Sequence, residues 1–357
     1  MGLFSKTQRK LVGIDISSAS VKLIELSRSE SGGRLSYRVE AWASDMLPPG
    51  AVDARKVKQT EAVSDVVRDV LRRSGSTAKH AAVAVSGAAV ISRVLNMPAD
   101  LGEYDMESMV ELEADRYIPQ RIDEVRYDFD VLGPTPGSEE TVDVLLVASR
   151  GDVVDDLILV IESAGLVAGV VDAEQYAVEH VFQELVQQDL ASEGINTVAV
   201  IDLGANTMNV HVISDGHLRQ TREYHVGGQQ HTRDISEAWD LEHDEAEARK
   251  RSGELPDDYP ETLLQPYARR LAQDIRGAVQ IYQTSDGGAP VERILLTGGS
   301  AGLAGITALL EEQVGIPVRV LDPFASMQIG KNLDPDKLRE QAPAFTVACG
   351  LALRRFG

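Results

Sequence analysis

Two stretches of this 357-residue chain, nearly two hundred residues apart, carry one arrangement of a carboxylate, small residues and a hydroxyl. They are Ile14-Asp15-Ile16-Ser17-Ser18-Ala19-Ser20-Val21-Lys22-Leu23 and Ile201-Asp202-Leu203-Gly204-Ala205-Asn206-Thr207-Met208-Asn209-Val210. In each, an apolar strand ends in Asp, a turn follows, a hydroxyl (Ser20, Thr207) stands five places after the Asp, and a second apolar strand begins. A carboxylate at the end of a buried strand is costly unless something pairs with it. Mg²⁺ is a suitable partner, because it takes one or two carboxylates and keeps waters beside substrate phosphates. Asp15 and Asp202 are therefore the metal candidates. The hydroxyls and backbone N–H groups of Ser17, Ser18, Ser20, Gly204, Asn206 and Thr207 can line two phosphate-binding turns. Gly204 permits close backbone approach. One such hairpin alone would be ordinary. The matched pair predicts two related halves facing one ligand, with a nucleotide's phosphates held from both sides.

Other groups could complete such a site. Gly298-Gly299-Ser300, after the apolar run Ile294–Thr297, is a glycine-rich strand-to-helix turn that could pass beneath a purine or ribose, and a helix start there favours an anion. Gly227-Gly228 is a weaker signal of the same kind. Glu247 and Lys250 lie on adjacent turns of one helical face, either as an exposed ion pair or as a pair that binds ribose hydroxyls. The seven histidines show no metal-ligand spacing, and no Ser/His/Asp constellation is legible. His211, His217, His225 and His231 read as strand and loop residues.

These groups need a scaffold. Residues 11–26 and 35–43 alternate like paired strands with Ser31-Gly32-Gly33 between them. Val57–Arg73 has helical spacing, with Val63, Val66, Val67, Val70 and Leu71 on one face. The continuous run Ala81–Val85 suggests a strand buried on both faces. From Ala88 to Gly165 the pattern predicts an α+β insert: strand Val90–Met97, helix Asp105–Tyr117, strands Val125–Leu132 and Thr141–Ser149, helix Asp152–Ser163. A helix over Ala173–Leu190 and a strand over Thr197–Ile201 follow. Thr232–Gly253 and Pro256–Ser285 are charged and helical in spacing, Arg293–Thr297 and Pro317–Leu321 are strands, a helix begins near Leu303, and Phe345–Arg355 closes the chain as a helix. The expected organisation is a first lobe over residues 1–87, completed by 166–190 and 341–357. Residues 88–165 are inserted, and 191–340 form a second lobe with a helical part at about 228–289.

Composition narrows the function. A 43% apolar content suits a globular chain, and no run of 18 uncharged apolar residues predicts a membrane span. The start lacks the apolar core of a secretory signal. The single cysteine, Cys349, forbids an internal disulfide and reads as a small core residue. A net charge of −21 argues against nucleic acid as a partner. Lys6, Arg9 and Lys10 would tether the chain to lipid only weakly, at about 1 kcal/mol per charge.

The two hairpins resemble the phosphate-one and phosphate-two motifs of the actin-like ATPase superfamily, which includes actin, sugar kinases, heat-shock chaperones and the cell-division protein FtsA. Leu295–Ile306 resembles its adenosine motif, Val171–Ala177 and Phe345–Leu353 its connecting motifs, and Ala246–Lys250 the A-E-x-x-K of FtsA and the chaperones. The insert lies where FtsA carries its extra subdomain. Within this group the chain is similar nearly end to end to the PilM family of type IV pilus assembly. Gly13–Ser18, Glu113–Pro119, Gly253–Tyr259 and Ala348–Arg354 carry that likeness.

The resemblance implies an α/β, actin-like (ribonuclease H-like) fold of two lobes with duplicated mixed sheets flanked by helices and an FtsA-like insert. It implies an ATP-binding cytoplasmic scaffold, peripheral to the inner membrane. Such a scaffold holds the N-terminal cytoplasmic peptide of PilN between first lobe and insert, reaches PilO indirectly, and couples to the pilus motor ATPases. Self-association into homo-oligomers stays open. Position by position, Asp15 and Asp202 would orient Mg²⁺ and its waters. The serines, Gly204, Asn206 and Thr207 would contact phosphates, Glu247 and Lys250 ribose, and Gly298, Gly299 and Ser300 adenosine. Glu174 falls where relatives position the attacking water, although Gln175 and Tyr176 replace the Pro and small residue that follow there. Lys22 could reach a phosphate or cap its strand. Glu113–Pro119 is expected to help form the PilN groove. Two other readings are an actin-fold metabolite kinase, for which no acceptor site is legible, and an FtsA-like filament protein. The ending Arg354-Arg355-Phe356-Gly357, without an amphipathic tail, weighs against the latter. Hydrolysis is expected to be slow or absent.

Overall fold

Apolar alternation sets up the same meander at the start of each half. The computed structural model describes residues 10–53, 56–285 and 287–356, so Lys6 and Arg9 of the tether reading lie outside the described residues. Strands β1 (Leu11–Ile16), β2 (Ser20–Ser31) and β3 (Arg34–Met46) run antiparallel, and Gly32 and Gly33, both at positive φ, turn β2 into β3. A small hairpin, β4 (Val52–Asp53) with β5 (Lys56–Val57), leads into α1 (Thr60–Ser74). Its Val63, Val67 and Val70 recur at helical spacing and are fully buried, and left-handed Gly75 ends it. Strand β6 (His80–Val85) then lies parallel to β1.

Next the chain leaves this sheet to build the insert: β7 (Val90–Pro98), α2 (Glu103–Tyr117), β8 (Val125–Pro134) and β9 (Thr141–Arg150), with β9 central. Helix α3 (Gly151–Ser163) returns to the first lobe, and β10 (Val167–Ala173) pairs parallel with β6. Helix α4 (Glu174–Val181) passes through a π turn, Phe182–Val186, into α5 (Gln187–Ser192).

The second half repeats the plan. Strands β11 (Thr197–Leu203), β12 (Met208–Ser214) and β13 (His217–Tyr224) form an antiparallel meander. Helices α6 (Gly228–Trp239), α7 (His243–Ser252) and α8 (Gln265–Gln283) follow, then β14 (Arg293–Thr297) parallel to β11, α9 (Ile306–Val314), and β15 (Val318–Val320) parallel to β14. Strand β16 (Gln328–Ile329) crosses back to pair with β3, and α10 (Pro335–Gln341) and α11 (Thr346–Leu353) close the chain. The sheet orders are β10-β6-β1-β2-β3-β16 and β13-β12-β11-β14-β15.

Among the described residues, four apolar cores hold these layers. Helices α4 and α11 lie between the sheets, where Val178, Val181, Phe345 and Leu351 meet Ile24, Val200 and Leu295. Helices α8 and α9 cover the outer face of the second sheet, α1 and α3 that of the first, and α2 covers one face of the insert.

Three expectations need correction. Strand β10, Val167–Ala173 with a bulge at Gly169, is absent from the expected strands, and the helix read over Ala173–Leu190 begins one residue later, at Glu174. Helix α3, expected in the insert, buries Val154, Leu157, Val160 and Ile161 with α1 and β6 of the first lobe. The helix expected near Leu303 starts at Ile306, after a turn.

Helix α11 approaches its neighbours without side chains between. A Cβ on Gly350 would fall on the Ala177 carbonyl of α4, and one on Gly13 would fall on the Ala348 carbonyl. Gly350→Ala should therefore overpack the interlobe core and cost about 1–3 kcal/mol or more. A urea-unfolding midpoint equal to that of the parent chain would refute this.

Candidate functional site

The carboxyl-terminal ends of the parallel strands converge, which is where open α/β sheets bind ligands. Asp15 stands at the end of β1, Ser86 just past β6, Glu174 just past β10, Asp202 near the end of β11, and Gly298 just past β14. All line one cleft of about 510 Å³. The two matched turns therefore share a single cavity, and they also touch: Asn206 Nδ2 donates to Ser18 Oγ across the opening at 3.0 Å.

The first turn is self-braced. Ser17 Oγ donates to Ser20 O (3.0 Å) and accepts from Ser20 N (3.2 Å), so this hydroxyl shapes the loop, and Ser17, Ser18 and Ser20 all line the cleft. The second turn is braced from behind. Gly204 N donates to Thr207 O (2.9 Å), Gly228 N to Gly204 O (2.9 Å), Gln229 N to Ala205 O (2.8 Å), and Ser300 N to Leu203 O (3.1 Å). Close approach explains the glycines here. A Cβ on Gly227 would lie 2.6 Å from the Ala205 carbonyl carbon, and Gly298, at φ +92°, sits against Asp202 and Leu203. Gly227 supports the second turn from outside the cleft lining, whereas Gly228, Gly298, Gly299 and Ser300 line it. The α9 N-terminus, at Ile306, lies beyond the turn and outside the cleft lining.

Three carboxylates meet one ammonium on the cleft floor. Lys22 Nζ lies 2.9 Å from Asp15 Oδ2, with both side chains about one-tenth exposed, so Lys22 neutralises Asp15 rather than capping the strand. Asp202 faces Asn209 in the equivalent register, and burial together with the Asp15 charge pushes it up to about 6. Glu174 accepts from Gly87 N at 3.4 Å. Removal from water, then the charges of Asp15 and Asp202, raise it to about 8. Among the described residues no group of three or more His, Cys, Asp or Glu is placed to hold a metal. A divalent cation here would rest on one or two carboxylates, with waters and phosphate oxygens completing its shell. The excess of carboxylate over ammonium suits such a cation.

Glu247 and Lys250 form neither an exposed pair nor a free one. Buried Lys250 donates to Glu247 Oε2 (2.6 Å), Thr232 Oγ1 (2.7 Å) and Gly228 O (3.1 Å), while Arg251 Nε donates to Glu247 Oε1 at 2.8 Å. Burial opposes the Glu247 charge, but Lys250, Thr232 and Arg251 hold it down to about 2. This network fixes one wall of the cleft.

Asn209, Glu223 and His225 also line the cleft and were not singled out from sequence. The missing signal was register: Asp15 pairs with Lys22 and Asp202 with Asn209, each seven residues on, and Glu223 stands opposite Asn209 on β13. His231, read as a loop residue, is a core residue of α6, 4.4 Å from the Tyr267 ring. Burial lowers both His231 and His211 to about 4.

A second cavity, of about 920 Å³, separates the insert from the first lobe. Its roof is the sheet face opposite α2, with Val94, Leu145 and Val147, and its floor carries Val154, Ile158 and Tyr176. Glu113–Pro119 does not line it, because α2 and its exit pack on the other face of the sheet.

Two sheets of one topology around such a cleft define an actin-like ATPase fold. A model of the family described as type IV pilus assembly protein PilM matches residues 13–356, and the chain belongs to that family. A chain of a solved PilM–PilN type IV pilus biogenesis complex is 26% identical to it, with a TM-score of 0.82, covering 98% of this chain and 99% of that one. Likeness of fold extends to the ethanolamine utilization protein EutJ from Carboxydothermus hydrogenoformans (18% identity, TM-score 0.56, covering 97% and 89%). It extends also to MreB5 of Spiroplasma citri bound to ADP (11% identity, TM-score 0.50, covering 96% and 94%). Among the described residues no helix is long and apolar enough to cross a membrane.

The raised carboxyls make stability depend on pH. Glu174 keeps a proton in the folded state that the unfolded chain releases above about 4.5, so stability should fall as pH rises toward about 8. The slope from this group is at most ~1.4 kcal/mol per pH unit. Glu174→Gln should flatten the fall in melting temperature between pH 5 and 8; an unchanged slope would show that Glu174 ionises normally.

Proposed function

We propose that this chain is an ATP-binding scaffold of the type IV pilus assembly complex, standing on the cytoplasmic side of the inner membrane and holding the N-terminal peptide of PilN. The observation that carries the nucleotide reading is the meeting of the Asp15 and Asp202 turns in one cleft. The PilM–PilN complex, one chain of which matches this one over nearly its whole length, supports the partner. The MreB5 structure with ADP supports nucleotide as the ligand class for this fold.

In this reading Ser18, Ser20, Asn206, Thr207 and the backbone N–H groups of both turns grip the phosphates. Asp15 and Asp202 hold Mg²⁺ and its waters, and the cation neutralises phosphate charge when bound. Glu247 and Lys250, already ordered by Thr232 and Gly228, present fixed groups to the ribose, while Gly298, Gly299 and Ser300 accept the adenosine. Glu174 orients a water. In this reading hydrolysis is slow or absent. The nucleotide then sets the angle between lobes only as far as it binds closed and open forms differently. Apolar peptide side chains enter the second cavity between Leu145 and Ile158. Through PilN the scaffold reaches PilO and couples to the motor ATPases. The family match over residues 13–356 disfavours the division-filament and metabolite-kinase readings.

Asp202→Ala should weaken MgATP binding by at least about tenfold, or 1.4 kcal/mol, in calorimetry, while circular dichroism shows an intact fold. Unchanged affinity would overturn the site. A labelled peptide from the start of the cognate PilN should bind without nucleotide, as read by fluorescence anisotropy. No signal at high micromolar protein would remove the partner.

A further inference from the structure

The two cavities share a wall. Val85 lines both, and the residues opening α4 divide between them: Glu174 faces the nucleotide cleft and Tyr176 the groove. Between these lies Gln175, which is only 4% exposed. Its Nε2 donates to Ser92 Oγ of β7 at 3.5 Å, while its Oε1 is buried without a partner. The side chain also presses on Gly87, where an added Cβ would come 2.5 Å from Oε1. Gly87 begins the Gly87–Ala89 turn that joins β6 to β7, one of the two chain crossings into the insert, and its N–H is the group that Glu174 accepts from.

We propose that Gln175 is a positioning residue that couples the nucleotide cleft to the insert, by linking Gly87, the partner of Glu174, to Ser92 on the sheet roofing the groove. The inference rests on the nucleotide reading above.

The physical case is an unpaired acceptor beside a weakly held donor. A buried carbonyl oxygen without a hydrogen bond is unfavourable. The Gly87–Glu174 bond, at 3.4 Å, is long. When Glu174 turns toward a water on a bound phosphate, it releases the Gly87 N–H, and a shift of the 87–89 turn then brings that N–H to Gln175 Oε1, which lies unpaired against the Cα side of Gly87. That exchange pulls the 87–89 turn toward α4, and β7 moves with it through Ser92. In the opposite direction, a ligand that shifts β7 from within the groove strains the Gln175–Ser92 bond and draws Gly87 from Glu174. Coupling of this kind is reciprocal and needs an element with two arrangements, which the Gly87 N–H and its two acceptors supply.

Hydrogen exchange on the full chain tests this, with and without a non-hydrolysable MgATP analogue. The analogue should change amide exchange over residues 87–98 by about fivefold, the low end of ordinary coupling. Gln175→Met keeps the volume but removes the amide; it should lose that response while calorimetry gives nucleotide affinity and melting temperature close to the parent's. Ser92→Ala, outside both cavities' linings, should do the same. Failure of the analogue to bind the parent chain overturns this inference together with the nucleotide reading. Binding with unchanged exchange at 87–98 overturns this inference alone, and so does a response that survives in Gln175→Met.

Discussion

The site depends on how closely two helices can lie between two sheets. Helices α4 and α11 fill the gap between the lobes; α11 meets α4 where Gly350 lies on the Ala177 backbone, and meets β1 where Gly13 lies under Ala348. Glycine-sized contacts bring the strand ends of both sheets to one cleft, near enough for Asn206 to reach Ser18 and for the Asp15 charge to act on Asp202. A bulkier contact would separate the turns, and neither alone would enclose a triphosphate. The crowding of Asp15, Asp202 and Glu174 follows from that closeness. It is a local cost that the surrounding apolar cores offset, a common pattern at functional sites.

The duplicated halves are equal in topology and unequal in chemistry. Opposite Asp15 the register places Lys22, and opposite Asp202 it places Asn209. One carboxylate is thus neutralised by a lysine within hydrogen-bond distance, and the other is left beside a neutral amide with its affinity for protons raised. Environments that differ in this way assign different tasks to matched groups. Asp15 is held in place by a permanent cation, while Asp202 is the one whose charge a bound cation would most relieve.

Much of this was legible in the sequence because local pattern and global fold agree. The paired Asp turns, helix α1 with its valines at helical spacing, and strand β14 over Arg293–Thr297 were all readable. What failed has identifiable causes. Strand β10 was missed because Val167–Ala173 is a short apolar run interrupted by Gly169 and Asp172, without the alternation that marks a half-buried strand. The apolar face of α3 is the same whichever body it packs on, so Val154 and Leu157 could not reveal that they belong with α1. The parity of β9 decides that Val144 and Leu146 meet α2 while Leu145 and Val147 face the groove, and parity means nothing until the sheet exists. Glu247 and Lys250 were visible as a pair. Thr232 and the Gly228 carbonyl, supplied from α6, were not.

The place of the insert follows from the same topology. Strands β6 and β10 are parallel neighbours: Val85, ending β6, lines both cavities, and Ala173, ending β10, lines the groove while Glu174 next to it lines the cleft. A parallel pair requires a crossover, and here the crossover carries the whole three-stranded unit as well as α3. Any body inserted there must leave the sheet at the cleft floor. The helix that begins where β10 ends must then touch both the cleft and the inserted body, since both lie beyond the same strand ends. Glu174, Gln175 and Tyr176 occupy that junction for this reason, and a ligand on either side meets the first turn of α4.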